Sequence, residues 1–367
     1  MTVLSLRALN RATLERQWLL ERRPATALKA IHHLVGMQSQ APLAPYTGLW
    51  TRLVDFDPSE LVDLMYARTA VRLSLMRGTI HLVTADDALG IYPLLREVHQ
   101  RNLLSNQIIA PLRETVDLEA LASAGRRLLT ASPLGGSALG EALALEFPAH
   151  EPAALSRAVR DLLAGVQVPP RGIWGKGGQP VTTTAEAWLG RPHKPHSVDS
   201  LVLRYLGAFG PASVMDMQQW SGLTRLGEVF ERLRPKLRSY VFEPNGRELF
   251  DLESIELPDP ETPAPVRFLA EYDNLLISHA DRTRVLSEDH RRQVFTVNGI
   301  VKGTILYDGF VIATWKGTVT RKAARLTIQS VERLSRAALP AIHAEADHLL
   351  NFLAPGAGPH ELELIPK

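Results

Sequence analysis

Apolar positions along the chain change their period several times, and the changes mark elements. An amphipathic pattern begins near Ser5, and Pro24 fits the first position of a second helix with Ala27, Ile31, Leu34 and Val35 on one face. Gly36 ends or loosens that helix. A third helix is expected from Asp57-Pro-Ser-Glu60, where Asp57 can cap the first amides and Glu60 can reach back. The period then falls to two. Val71, Leu73 and Leu75 alternate, and a second apolar run, Ile80-His-Leu-Val83, follows the link Arg77-Gly-Thr79. A short glycine-containing link between two such runs predicts a hairpin. Three helices and then a hairpin is the order of a winged helix.

That order recurs. Leu118, Leu121 and Leu128 mark one helix, Leu139 and Leu143 another, and Leu155, Val159, Leu162 and Leu163 a third; Val166, Val168 and Val181-Thr-Thr-Thr184 then read as strands around a glycine-rich loop. A less complete copy has helices near 201–209, 213–220 and 228–237, a strand at 239–242 and a turn at Pro244-Asn-Gly246. Each copy is too short to bury much core alone, so the copies should pack on one another. Beyond a proline-rich connector at 257–265 the pattern turns to strands, expected at 266–269, 293–297, 303–306, 310–315 and 324–328. A helix over 330–352 should close the chain. Asp308-Gly309 is a strong hairpin signal, since both residues tolerate positive φ. The expected class is α+β: winged-helix units at 1–116, 117–190 and 197–255, then a β-rich domain with a terminal helix at 266–367.

Composition narrows the chemistry. The 367 residues are 45% hydrophobic and 22% charged, as in a packed globular chain, and none is cysteine. Disulfides, thiolate metal sites and a cysteine nucleophile are therefore excluded. Charged residues run through the first 25 positions and no apolar run reaches the roughly 18 residues of a membrane span. A soluble cytoplasmic protein is expected. The net charge of +2 says little about partners, but from Asp281 to Arg325 nine lysines and arginines face four carboxylates, leaving +5. That stretch reads equally as a phosphate-contacting face or as a solvated surface.

Few strings carry chemistry. In Gly36-Met-Gln-Ser-Gln-Ala-Pro42, Gln38 and Gln40 are two apart, so they point to one side if the backbone is extended. Glutamine is no general base, but its carbonyl can hold a water and its amide can donate. On composition alone this is an ordinary polar helix end. His343, Asp347 and His348 share a helix face better read as solvated than as a metal set. Glu271, Asp273 and Asn274 read more readily as a turn with a hydrogen-bonded aspartate than as acid–base machinery. Gly175-Lys-Gly-Gly178 lacks the spacing of a phosphate-binding loop and reads as a wing.

Several blocks resemble the AlkZ/YcaQ-like winged-helix DNA glycosylases. They are Gly36-Met-Gln-Ser-Gln-Ala-Pro42, Pro45-Tyr-Thr-Gly-Leu-Trp50, Met76-Arg-Gly-Thr-Ile-His-Leu-Val-Thr84, Pro169-Pro-Arg-Gly-Ile-Trp-Gly-Lys-Gly-Gly178, Tyr205-Leu-Gly-Ala-Phe-Gly-Pro-Ala212 and Tyr272-Asp-Asn-Leu-Leu276. The resemblance implies three tandem winged helices with a β-rich C-terminal domain, in agreement with the repeats. It also implies excision of N7-alkylated purines from DNA, including unhooking of interstrand crosslinks, by a Gln-x-Gln motif that here is Gln38 and Gln40. A role in self-resistance of a producer of a DNA-crosslinking antibiotic goes with the same family.

The chemistry suits two amides. An N7-alkylguanine is already cationic and leaves as a neutral base, so no general acid is needed; what remains is to hold water and stabilise positive charge on the sugar. No lysine adjoins the motif, so hydrolysis to an abasic site without strand cleavage is expected, with no cofactor and no metal. The expected partner of this monomer is double-stranded DNA carrying alkylated or crosslinked purines. Its contacts are expected from arginines and lysines on the wings and in the +5 stretch, with Arg77 and His81 placed where the first winged helix could face the lesion, unless Arg77 merely bonds its own turn. Lys302, Asp308, Gly309, Lys316, Arg321 and Lys322 in the C-terminal stretch complete the expected DNA contacts. A transcription regulator and a non-catalytic lesion-binding protein are the competing readings.

Overall fold

The computed structural model describes residues 2–319, 323–356 and 360–367. It is a mixed α+β structure with three sheets. The first part runs β1 (Thr2–Leu4), α1 (Leu6–Arg16), α2 (Ala27–His33), β2 (Met37–Gln38), α3 (Ala44–Trp50), α4 (Pro58–Tyr66), β3 (Ala70–Ser74), β4 (Ile80–Thr84), α5 (Ala85–Ile91) and α6 (Arg96–Ser105). Capping explains the starts. Ser5 accepts from the Ala8 amide and Asp57 from the Ser59 amide at 2.7 Å. The second helix begins later than its proline suggests, because Thr26 is the cap, accepting from the Lys29 amide. Glu60 does not reach back within its own helix; its Oε1 accepts from the Ala27 amide at 2.7 Å and so caps α2 from outside. Helix α3 has no counterpart in the expected order. It holds Pro45 in its first turn and Gly48 at the point where Met37 packs, 2.5 Å from where a Cβ would sit.

The second part has α7 (Leu118–Ala131), β5 (Leu134–Gly135), α8 (Gly136–Ala144), α9 (Pro152–Leu162), β6 (Gly165–Gln167), β7 (Val181–Thr184) and α10 (Ala185–Leu189), and the third has α11 (Val198–Phe209), α12 (Val214–Ser221), α13 (Gly227–Leu233), β8 (Leu237–Phe242) and β9 (Arg247–Leu252). The first two parts share one six-stranded sheet, ordered β2-β4-β3-β6-β7-β5, joined where β3 pairs antiparallel with β6. The N-terminal strand β1 crosses to the third part and runs parallel to β8.

The C-terminal part comprises β10 (Arg267–Leu269), α14 (Asn274–Ile277), α15 (Glu288–Val294), β11 (Gly303–Tyr307), β12 (Phe310–Val319), β13 (Ala324–Ser330), α16 (Leu339–Leu353) and β14 (His360–Ile365). Three expectations are corrected here. Residues 293–297 are not a strand: α15 covers the first two, with Glu288 and Asp289 in its first turn and Arg291 and Arg292 in its last, the arrangement that complements a helix dipole. The terminal helix starts at Leu339 rather than 330, with Pro340 in its first turn. It does not close the chain, because β14 follows and pairs parallel with β13.

The cores cross the boundaries between parts. Ile31, Tyr46 and Met65 of the first part pack in one cluster with Phe268, Ile328 and Leu349 of the last, and Leu73 and Val83 share another with Tyr205, Phe209 and Trp220. Buried ion pairs pin the same seams: Arg52 to Asp273 at 2.7 Å, Arg284 to Asp216 at 3.3 Å and Arg16 to Asp251 at 2.7 Å.

Candidate active site

Strand β2 lies at the edge of the six-stranded sheet, opposite β4, with Met37 facing Leu82 and Gln38 facing His81. Gly36 precedes it at φ +93°, and a Cβ there would stand 2.5 Å from a Val83 methyl, so only glycine lets the chain enter the sheet this closely. Asn274 holds the strand from the other side. Its side-chain amide donates to the Gly36 carbonyl at 2.7 Å, and its Oδ1 accepts from the Gln38 amide at 3.4 Å. Asn274 itself opens α14, capped by Asp273, whose carboxylate takes both Arg52 terminal nitrogens at 2.7 and 2.8 Å. The turn with a bonded aspartate expected at 271–274 is therefore present, and it serves as the brace behind Gln38. A cavity of about 10 Å³, the size of a single water, lies between Gln38 and this brace.

The two glutamines do not point to one side. Strand β2 ends at Gln38 and Gln40 sits in a bend. In the antiparallel ladder Gln38, His81, Leu73 and Val166 form one cross-strand row, while Arg72, Gln167 and Thr182 form the next row on the opposite face. Gln38 is buried, and its Oε1 accepts from Arg77 Nη2 at 2.6 Å. A guanidinium only donates, so the Gln38 carbonyl must face Arg77 and its NH2 must face away. Gln40 is exposed, and its Oε1 accepts from the Ile80 backbone amide at 3.3 Å, replacing a ladder carbonyl. Between them, Ser39 is buried on the Arg72 side: its hydroxyl and carbonyl accept from Arg72 at 2.9 Å each.

Arg77 and His81 both lie against Gln38, and only Arg77 bonds it. Arg77 is half-buried at φ +58°, a left-handed conformation rare outside glycine, and its second nitrogen donates to the Trp220 carbonyl. Burial, and then repulsion from Arg282, pulls its pKa down to about 10. The expectation that Arg77 bonds its own turn is replaced by a bond from that turn to Gln38. His81 is buried directly opposite Gln38, and burial with the nearby Arg77 charge lowers its pKa to about 3. Its Nδ1 lies 2.9 Å from the Thr79 carbonyl, which can only accept, so Nδ1 carries the proton of a neutral ring.

On the Arg72 face, beside Gln40, the seam between β3 and β6 opens into a cleft of about 270 Å³. Four arginines line it, Arg72, Arg157, Arg160 and Arg171, against the single carboxylate of Asp161. Nothing in the motif strings pointed to Arg157 and Arg160; the usable signal is their three-residue spacing, which sets them on one face of α9. The C-terminal candidates come out differently. Asp308 is held by Arg7 at 2.7 Å and by Arg11, and Gly309 is buried against Asn10 and Leu14 of α1, so this turn is a packed contact and not a free probe of a groove. Within the +5 stretch, Arg284 is paired with Asp216 and Arg325 with Glu361. Lys302 is half-buried; Lys316 is exposed on β12, beside a separate cavity of about 500 Å³ that Trp174 and Trp315 line. Arg321 and Lys322 lie outside the described residues. Among the described residues no cluster of three metal-ligating side chains occurs, and no helix is long and apolar enough to cross a membrane.

Comparison with known proteins adds three findings. The family described as DNA glycosylase AlkZ-like matches residues 31–352. A curated protein of Streptomyces sahachiroi, the interstrand DNA cross-link repair glycosylase, is 24% identical over 182 residues, a match spanning 46% of each chain. The solved structure of Streptomyces sahachiroi DNA glycosylase AlkZ shares this fold at a TM-score of 0.78, with 18% identity over 100% of both chains.

Proposed function

The chain belongs to the DNA glycosylase AlkZ-like family, and from that premise we propose that it is a monofunctional DNA glycosylase. Its substrates are cationic N7-alkylpurines in double-stranded DNA, including those in interstrand crosslinks, and its product is an abasic site. Three winged-helix units, ending near residues 116, 190 and 255, hold the duplex as a monomer–DNA complex. Gln38 and Gln40 carry the hydrolysis. Each carbonyl already accepts one bond, from Arg77 and from the Ile80 amide, which leaves each amide one acceptor lone pair and its NH2 group.

Gln40, exposed at the cleft, holds the attacking water against the sugar; Gln38, fixed by Arg77 and Asn274, contributes its preorganised dipole from the buried side of the strand edge. The observation that carries this reading is an exposed amide at the edge of an arginine-lined cleft, two residues beyond a strand end braced from behind. A cationic base needs no proton to depart, so two neutral amides suffice, and an unmodified guanine is spared because nothing here activates a poor leaving group. Of the carboxylates around the motif, Asp273 is held by Arg52, and Asp161, which lines the cleft with Gln40, is paired with Arg157.

The test uses a duplex with a single N7-methylguanine. Chromatography should detect free N7-methylguanine, strand breakage should need alkali, and borohydride should trap no protein–DNA adduct. Release of no base from DNA that the protein demonstrably binds would leave the lesion-binding reading in its place.

A further inference from the structure

We propose that the cleft at the seam of β3 and β6 is a phosphodiester-binding subsite, in which Arg157, Arg160 and Arg171 grip the backbone of the strand whose sugar meets Gln40. The identity of that strand rests on the glycosylase reading; the grip itself does not.

Three features make the cleft a site for an anion. Its walls are polar, built from the row of Arg72, Gln167 and Thr182 with Ser74 beside it. Its cations outnumber its one carboxylate, and that carboxylate, Asp161, is half-buried and only 3.4 Å from Arg157 Nε. Convergent like charges repel, and the repulsion is relieved when a phosphate with several acceptor oxygens lies between them. The arginines also differ in what they already hold. Each of the three nitrogens of Arg72 already donates, to Ser39 or to the Arg171 carbonyl. Arg171 donates from one nitrogen to the Gly178 carbonyl at 2.7 Å. Arg160 is exposed, and its guanidinium has no hydrogen bond or ion pair among the described residues. Desolvation of its inner part against the cleft wall, then the charge of Arg157, lowers the Arg160 pKa, and Asp161 offsets this only in part.

The position gives the grip its meaning. Arg72 bonds Ser39, the residue between the two glutamines, and also the backbone of Arg171. One side chain thus sets the distance between the phosphate site and Gln40. The loop carrying Arg171 is pressed onto Arg72 at Gly172, where a Cβ would come within 2.9 Å of the Arg72 side chain at φ +84°.

The test reads binding alone. An end-labelled undamaged duplex is titrated by fluorescence anisotropy over a salt series with the full-length protein, with Arg160→Ala, Arg171→Ala and the double variant, and with Arg127→Ala as control. Arg127 is an exposed arginine of α7 paired with Glu146, away from the cleft. Each single variant should lower the slope of log affinity against log salt by about 0.9, and the double variant by about twice that. Arg127→Ala should leave it unchanged, and Arg160→Lys and Arg171→Lys should keep most of the slope, which also covers any alanine variant whose melting temperature has shifted. An unchanged slope in the double variant, or an equal fall in Arg127→Ala, overturns the proposal. So does an RNA of the same sequence that binds more tightly than the duplex and loses its affinity in the same variants. Failure of this proposal and failure of the glycosylase reading look different. A protein that binds with the predicted slopes and frees no base loses only its activity; one that frees N7-methylguanine with slopes unaltered in the double variant loses only this cleft.

Discussion

Gln38 and Gln40 are two residues apart and live in opposite environments. Gln38 is buried in a row with the neutral His81, its carbonyl held by a cation and its strand held by Asn274. Gln40 is exposed on the other side of the sheet edge, beside four arginines. The difference teaches that the motif is not a symmetric pair of side chains. One glutamine is part of the scaffold and keeps a fixed direction; the other is presented to whatever enters the cleft. Backbone alternation would have put both on one face, and the bend after Gln38 is what separates them.

The largest effect on the buried side should come from the brace. Asp273→Ala leaves Arg52, which is fully buried, without its carboxylate, and should lower stability by about 3–5 kcal/mol in urea denaturation. A loss below about 1 kcal/mol would mean that the pair does not hold the motif. Next in size is Arg77→Met. It removes the donor to a buried carbonyl, which costs about 1–3 kcal/mol. Base release should slow at saturating substrate while duplex affinity stays near wild type, because Arg77 is assigned to Gln38 and not to DNA. A fall in affinity with unchanged turnover would restore Arg77 to the DNA contacts.

Acid should separate the two environments as well. The pKa values of His81 and His279 are lowered to about 3 and that of His99 to about 4, in each case chiefly by burial. All three are neutral in the fold, and the unfolded chain takes up protons first as pH falls below about 6.5. Their contribution is therefore complete above that pH and is lost progressively toward pH 4, by up to about 1.4 kcal/mol per pH unit for each histidine. His99→Leu should flatten its share of that slope in stability measured against pH. No histidine lines the arginine cleft, so duplex binding should stay level around neutral pH and rise only when acid protonates Asp161, whose carboxyl burial holds above its ordinary pKa. The smallest effect is expected at Lys316→Ala, which should lower the salt slope of binding by no more than about 0.9, the value of a single phosphate contact.

Local patterns made much of the fold legible. The Asp57 cap, the hairpin around Arg77-Gly-Thr79 and the leucine rows of α7 and α9 could all be read because each depends on neighbours in sequence. Helix α3 was hidden, since Gly48 and the prolines around it argue against a helix; the glycine is there for Met37, a contact that only the fold creates. Strand β14 pairs in parallel with β13 across a whole helix, and no local pattern announces such a partner. At the site the identity of the glutamines was legible, through resemblance, and their geometry was not. Glu60 capping α2, Arg77 holding Gln38 and Asp308 docking on α1 are all contacts between distant segments. Asp308-Gly309 illustrates the limit well: the turn is plain in the sequence, but a turn says nothing about whether its tip meets solvent or another helix.

The most direct test compares Gln38→Ala with Gln40→Ala on a duplex carrying one N7-methylguanine, with base release followed at saturating protein and binding measured in parallel. The account predicts that each variant binds as wild type does and that release falls by roughly a hundred- to thousandfold, the usual value of one preorganised polar group. Gln38→Ala should also lose stability to urea because it leaves the Nη2 of Arg77 without its acceptor, whereas Gln40→Ala should not. Unchanged release in both variants would contradict the account at its centre.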